Sequence, residues 1–269
     1  MPKYEGKCPN LREADLYTGC PFNCVYCIAE QRHSEEIRPT DREQEIFAGP
    51  ASDIPLYLSP WTDPYPPCEE EHFRTGSLVR HLSSTGQPFY VITRSLLLRR
   101  DIKIICDSNR SFVGISLNTL DDSITDILEP CAPGAVDRAE LIRDLLEMEG
   151  LRTVVRIDPV IPGITDGEKL SELLEWVMEI NPFAIGLETM RMNRSIESRM
   201  KNALPEAMYD RMMEYYPIPG EVPVHPAQEW RLDLFRRVAS QFDKTDIRAC
   251  FCRATLPEQI TPWDCRGGY

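Results

Sequence analysis

Six short apolar, β-prone runs alternate with segments of helical periodicity, and that alternation limits the folds open to this chain more than any other feature. The runs are 15–18, 54–59, 88–93, 112–118, 153–159 and 183–188. Between them, Val136, Leu141, Ile142, Leu145 and Leu146 form one helical stripe. Leu170, Leu173, Leu174, Val177 and Met178 form another, with Thr165 or Asp166 at its N-cap and Glu168 in its first turn. Gly86, Gly150 and the Asn181-Pro182 pair mark helix ends. Strand followed by helix, repeated, predicts βαβ units and a parallel sheet, which right-handed crossovers curl into a full or partial barrel. A length of 269 residues suits this, because one α/β barrel is ordinarily about 200–250 residues. Chemistry in such folds sits on the loops after the strands.

The loop after the first run carries the sharpest cluster. Ten cysteines occur in the chain, and three of them, Cys20, Cys24 and Cys27, fall within GCPFNCVYC. A chain of this size needs no disulfides to fold. Residues 1–10 are polar, without the apolar segment of a signal peptide, and no apolar run reaches the ~18 residues of a membrane span. A cytoplasmic, reducing location is therefore expected, with cysteines serving as metal ligands, reactive thiols or packing residues. Three thiolates on one short loop can hold three irons of a cubane and leave the fourth iron open to a ligand. The other reading is a zinc site completed by a distant Cys or His.

With Tyr26 before its third cysteine, this stretch resembles the signature of the radical S-adenosylmethionine (radical SAM) enzymes. The resemblance continues in order: LYTGCPFNCVYC at 16–27, TDPYPPCE at 62–69, VITRS at 91–95 with Arg100-Asp101, ISLN at 115–118, LEP at 128–130 with Arg138, and DPVIPGITD at 158–166. That series is similar to the spore photoproduct lyase-like branch (DNA-repair-photolyase-like) and covers about residues 14 to 190.

The resemblance implies an α/β fold, a partial (β/α)6 TIM-type barrel over 1–190, with a helical and Cys-rich extension over 191–269 packed on it. It implies a [4Fe–4S] cluster on Cys20, Cys24 and Cys27, with S-adenosylmethionine chelated at the open iron. A low-potential donor of flavodoxin or ferredoxin type supplies one electron. Reductive cleavage gives a 5′-deoxyadenosyl radical that abstracts a substrate hydrogen, which makes the reaction that of a lyase or modification enzyme and oxygen-sensitive. Tyr26 is expected near the adenine. The Gly-Gly-Glu stretch usual after the second strand is absent, so the amino group is left to Ser59, Thr62 or Asp63, with Asp63 the preferred acceptor. Arg94 matches a basic position for the methionine carboxylate, and Ser116 and Asn118 match ribose-binding positions. Arg156 interrupts an apolar strand and is expected in the lumen, with Glu188 as its partner. Cys68 is expected to face the same chamber as hydrogen donor, auxiliary-cluster ligand or packing residue.

Beyond the sixth run, 193–216 and 227–242 read as helices around the Pro-rich stretch 217–226. Cys250, Cys252 and Cys265 suggest a second metal site, an auxiliary iron–sulfur cluster or zinc, completed by Cys8, Cys68 or Cys131. Cys106 reads as core. Arg191, Arg194, Arg199 and Lys201 form either an anion-binding rim or a solvated helix face. The net charge of −13 argues against an extended duplex DNA footprint, though not against a local phosphate contact. The substrate stays open among nucleic-acid lesion, peptide and small molecule. The alternative from another class is a non-catalytic iron–sulfur or zinc protein of electron transfer or assembly.

Overall fold

A computed structural model of the chain describes residues 11–29, 36–108 and 110–251. Its strands are β1 (Arg12–Ala14), β2 (Leu56–Leu58), β3 (Phe89–Thr93), β4 (Phe112–Ser116), β5 (Arg152–Val160), β6 (Ala184–Thr189) and β7 (Arg248–Phe251). They pair in parallel in chain order within one sheet. Parallel neighbours need crossovers, and helices supply them: α1 (Arg42–Ala48), α2 (Glu69–His72), α3 (Arg74–Thr85), α4 (Ile102–Cys106), α5 (Asp122–Leu128), α6 (Ala135–Leu146), α7 (Gly167–Ile180), α8 (Arg194–Ala203), α9 (Glu206–Met213) and α10 (Gln228–Phe242). The chain therefore adopts the expected α/β class, a parallel sheet with helical crossovers. Strands covered on both faces read as continuous apolar runs, and every residue of β6 is buried.

The helical stripes pack as their periodicity dictates. Leu141, Ile142 and Leu145 of α6 and Leu170, Leu173, Leu174 and Val177 of α7 enter the main core. Val136, assigned to the first stripe, faces solvent instead, because it shares the exposed face of α6 with Glu140 and Arg143. Asp166 is the N-cap of α7 and accepts a hydrogen bond from Gly163 N at 2.8 Å. Cys106 is half-buried against the main core.

Three elements differ from the sequence pattern. The first strand is 12–14 rather than 15–18. After Ala14 the backbone finds other partners: Leu16 N donates to Ser59 Oγ at 3.2 Å, Thr18 N to Arg38 O at 2.9 Å, and Tyr17 bridges Pro39 in antiparallel sense. The helix expected over 193–216 divides at Leu204 and Pro205, where proline has no N–H to continue the ladder. A seventh strand, β7, extends the sheet beyond the six foreseen, and it contains Cys250. Cys8, Cys252 and Cys265 lie outside the described residues.

A second apolar cluster lies apart from the main core. It joins Phe22, Cys24 and Tyr26 of the cysteine loop to Ile161, Met192, Ile196 and Met200. The loop is thus held from the side of α8. Among the described residues, no helix is long and apolar enough to cross a membrane.

The anchor of β7 is Phe251, fully buried with its ring 4.9 Å from that of Phe235 on α10. Phe251→Ala is expected to cost about 3–5 kcal/mol, read as a lower urea midpoint. An unchanged midpoint would show that β7 contributes nothing to the sheet.

Candidate cofactor site

The cysteine loop turns on two local features. Asn23 has φ 53°, a left-handed conformation that Asn tolerates better than most residues, and it reverses the chain between Cys20 and Cys24. Cys27 N then donates to Cys24 O at 3.0 Å, closing a turn around Tyr26. Val25 N donates to Leu128 O at 2.9 Å and ties the loop to the end of α5.

Cys20, Cys24 and Cys27 form one wall of a cavity of about 310 Å³. Tyr26 shares that wall, and Ser59, Thr62 and Asp63 approach from the loop after β2. Arg94, Ser116, Arg156 and Glu188 reach it from β3 to β6. The strand register explains this convergence. Ser116, Arg156, Gly186 and Cys250 are direct neighbours across β4, β5, β6 and β7. Cross-strand neighbours share a face, so Cys250 sits on the cavity side of the sheet.

Two expected residues lie elsewhere. Asn118 is buried behind the wall, donating from Nδ2 to Tyr26 Oη at 2.9 Å and accepting from Asp158 N at 3.1 Å. Cys68 is the N-cap of α2 and packs against the main core, and it is not among the lining residues. The neighbouring carboxylate sets its position. Buried Glu69 accepts from Thr75 N and Gly76 N, each at 3.0 Å, and from Arg100, which fixes α2 against the start of α3.

The donor set fits the expected metal cofactor. Burial, reinforced by Asp63, pushes the Cys20 thiol up to about 12 while Arg94 opposes it; burial is also the chief cause raising Cys24. Such thiols become thiolates when a cation coordinates them. Among the described residues, no group of three His, Cys, Asp or Glu is gathered tightly enough for a single metal ion. A cubane asks for something different, since each of its thiolates holds a separate iron.

Behind the cysteines lies a charged network. The Tyr26 hydroxyl donates to Glu129. Arg94 donates from Nε to Glu129 at 3.2 Å and from Nη2 to Tyr26 Oη at 2.9 Å. Arg138 pairs with the other Glu129 oxygen at 2.6 Å and donates to Ser116 O at 2.7 Å. Burial acts to raise the Glu129 carboxyl, but the guanidiniums of Arg138 and Arg94 outweigh it and hold the group down at about 2. Glu129 carries no expected role of its own beyond its place in the LEP stretch at 128–130. Its legible signal is an acid between Leu128 and Pro130, with Arg138 nine residues on in the next helix.

The other polar wall groups are also held by the protein. Asp63 accepts from Tyr65 N at 2.8 Å, Thr93 Oγ1 at 2.6 Å and Arg94 N at 3.0 Å. The last bond goes to Oδ2, which keeps a lone pair for a ligand's donor. Thr62 Oγ1 donates to Asp15 at 3.3 Å. Ser59 takes φ 51°, a costly conformation that places its Oγ under Leu16 N. Arg156 grips Asp158 through Nε at 3.1 Å and Nη2 at 2.7 Å; the sequence had offered only Glu188 as partner. Glu188 accepts from Thr189 N at 2.8 Å. Of the four basic side chains that read as either an anion-binding rim or a solvated helix face, Arg191 lines the cavity, Arg194 pairs with Glu221, Lys201 lies over the Tyr209 ring, and Arg199 donates to Cys27 O at 2.6 Å.

Fold and site together define an α/β protein whose site lies at the C-terminal ends of parallel strands, with a cysteine loop in one wall. The chain belongs to the radical SAM superfamily, whose family model matches residues 15–177. That membership implies a [4Fe–4S] cluster and S-adenosylmethionine. An uncharacterised Mycobacterium bovis protein is 28% identical over 180 residues, 59% of this chain and 52% of that protein. The Radical SAM Nalpha-GlyT isomerase of Pseudomonas phage M6 is 27% identical over 167 residues, 58% of this chain and 34% of the isomerase. This chain thus matches about half the length of its mycobacterial relative, or less of the phage enzyme. In fold it is similar to a spore photoproduct lyase variant (TM-score 0.66, 16% identity, 93% of this chain and 80% of that one). Streptococcus suis SuiB bound to S-adenosylmethionine is similar as well (TM-score 0.60, 13% identity, 90% and 50%).

Glu129→Gln leaves two buried guanidiniums short of their counter-charge. It is expected to destabilise the protein by about 3–5 kcal/mol at pH 7. Because the folded-state carboxyl sits below its ordinary value of 4.5, its stabilisation is present above that pH and fades as pH falls toward about 2. The penalty of the variant should shrink over the same interval in unfolding curves taken at several pH values. A pH-independent penalty would contradict this pairing.

Proposed function

We propose that this chain is a radical SAM enzyme that generates a 5′-deoxyadenosyl radical and uses it to take a hydrogen from a substrate held in the same cavity. The observation that carries this reading is the placement of Cys20, Cys24 and Cys27 on one wall of a cavity whose other walls present Arg94, Ser116 and Asp63. When bound, the cluster supplies one low-potential electron to S-adenosylmethionine, itself drawn from a flavodoxin- or ferredoxin-type donor.

The chain's own residues do the rest. The three cysteines hold the cluster and leave one position open. Arg94, fixed by Glu129 and Tyr26, brings positive charge to the wall that takes the methionine carboxylate. Asp63 Oδ2 takes the amino group, with Ser59 and Thr62 beside it. The pinned ring of Tyr26 offers a face near the adenine, and Ser116, backed by Asn118, serves the ribose. Arg156 and Glu188 bind farther along the strands. The buried walls exclude water, which a reactive carbon radical requires. A cavity of about 310 Å³ and a dispersed basic rim favour a substrate that inserts one reacting group over an extended duplex. Residues 1–190 form the catalytic barrel and 191–269 the extension. Cys250, on the cavity side, supports a second cluster held with Cys252 and Cys265.

Anaerobically reconstituted protein, given dithionite and S-adenosylmethionine, is expected to form 5′-deoxyadenosine. Cys24→Ala should lower that yield at least a hundredfold; equal yields would refute the reading. Iron and sulfide in the Cys20→Ala, Cys24→Ala, Cys27→Ala triple variant test the second cluster: about four irons per chain support it, and none removes it.

A further inference from the structure

The guanidinium of Arg199 belongs to α8, outside the 15–177 region that the family model matches, yet it touches the cysteine loop. Its Nη2 donates to the backbone oxygen of Cys27 at 2.6 Å, a contact that spans 172 residues of sequence. The helix bearing it does not lie loosely there. Ile196 and Met200, on either side of Arg199, are fully buried in the same apolar cluster as Cys24 and Tyr26. Asn193 caps the helix, its Oδ1 accepting from Ile196 N at 2.8 Å, and so fixes where Arg199 falls.

Resting on the cluster reading above, we propose that Arg199 is a positioning residue that raises the reduction potential of the [4Fe–4S] cluster and fixes the Cys27 side of its loop. Reduction adds one electron from an external donor to the cluster, with no bond made or broken. The reduced cluster is more negative by one charge. A fixed cation beside a ligand's backbone favours that state over the oxidised one, and it does so more strongly in a half-buried setting than in water. The hydrogen bond adds to this by drawing electron density from the Cys27 carbonyl. The Cys27 N–H is engaged with Cys24 O, so Arg199 secures the other side of the same residue. Arg94 and Arg199 thus approach the loop from opposite parts of the fold, one from the barrel and one from the extension.

The test is a potentiometric titration followed by electron paramagnetic resonance on the reconstituted full chain, comparing wild type, Arg199→Gln and Arg199→Lys at equal iron content. Arg199→Gln keeps a donor and loses the charge. At a fixed solution potential its reduced-to-oxidised ratio is expected to fall about tenfold, which is ~59 mV toward more negative potential for one electron. Arg199→Lys restores the charge and is expected to lie within threefold of wild type. An unmoved midpoint in Arg199→Gln, with the cluster fully loaded, overturns the proposal. If Arg199→Gln does not load, Arg199→Lys decides: loading with a near-wild-type midpoint supports the cationic role, and failure to load reduces Arg199 to a purely structural contact and overturns it. A wild-type chain that takes up no cubane overturns the cluster reading itself, and this proposal with it. The two failures are therefore distinguishable.

Discussion

The Glu129 carboxylate is the interaction on which the site depends. It is fully buried and lies between Arg138 and Arg94, and it also receives the Tyr26 hydroxyl and the Asn118 amide. Those partners come from α6, the end of β3, the cysteine loop and the segment after β4. One charge therefore sets the mutual positions of four separate pieces of chain. A buried carboxylate is costly unless its partners are themselves in place. The network is complete or it is a liability, and that all-or-none character keeps the cysteine loop from wandering. Arg138 gains a second function from the same geometry, since its bond to Ser116 O fixes the strand that presents Ser116 to the cavity.

The alternation of strand and helix was legible because burial on two faces writes itself as apolar runs, as β6 shows residue by residue. The cysteine loop was legible because its chemistry requires particular residue types at particular spacings. Less was legible where tertiary partners outcompete local pattern. Residues 15–18 look like a strand, but Leu16 N is taken by Ser59 Oγ, a partner 43 residues away. β7 escaped notice because Arg248–Phe251 is only four residues long and runs into a tail whose cysteine spacing reads as metal ligation; its identity comes from pairing with β6. The partners of Arg94 and Arg156 escaped for another reason. Spacing says that a charge lies in the lumen, and it does not say which of several acids will meet it.

The C-terminal residues that looked like an appendage take part in the site. α8 packs its apolar face on the cysteine loop, and β7 adds a strand whose cavity face bears Cys250. Tyr216, buried in the same cluster, donates to Met190 O at 2.8 Å just beyond β6. Backbone pairing between Met192 and Val224 then binds the Pro-rich stretch to the cavity rim. Removing residues beyond 190 would therefore strip one side of the cysteine loop and expose Ile161 and Met190, a loss a barrel core alone does not repair.

The space in which reaction can occur has its own physical origin. In the lower layer of the lumen, Tyr90 and Phe112 stack with centroids 3.8 Å apart, and Tyr57 lies next to Tyr90 in register. Large rings fill the barrel there and close its floor. Higher on the sheet the lumen positions on β4 and β6 include Gly114 and Gly186. A Cβ at 186 would stand 2.7 Å from Arg156 Nη1, so the guanidinium lies where any other residue would place its side chain. From there it reaches Asp158. A packed floor, a middle in which Gly114 and Gly186 make room for Ile92 and Arg156, and a charged rim turn a barrel core into a container. The wall groups are already oriented by backbone donors and by one another before any ligand arrives, and that preorganisation reduces the cost of ordering them on binding.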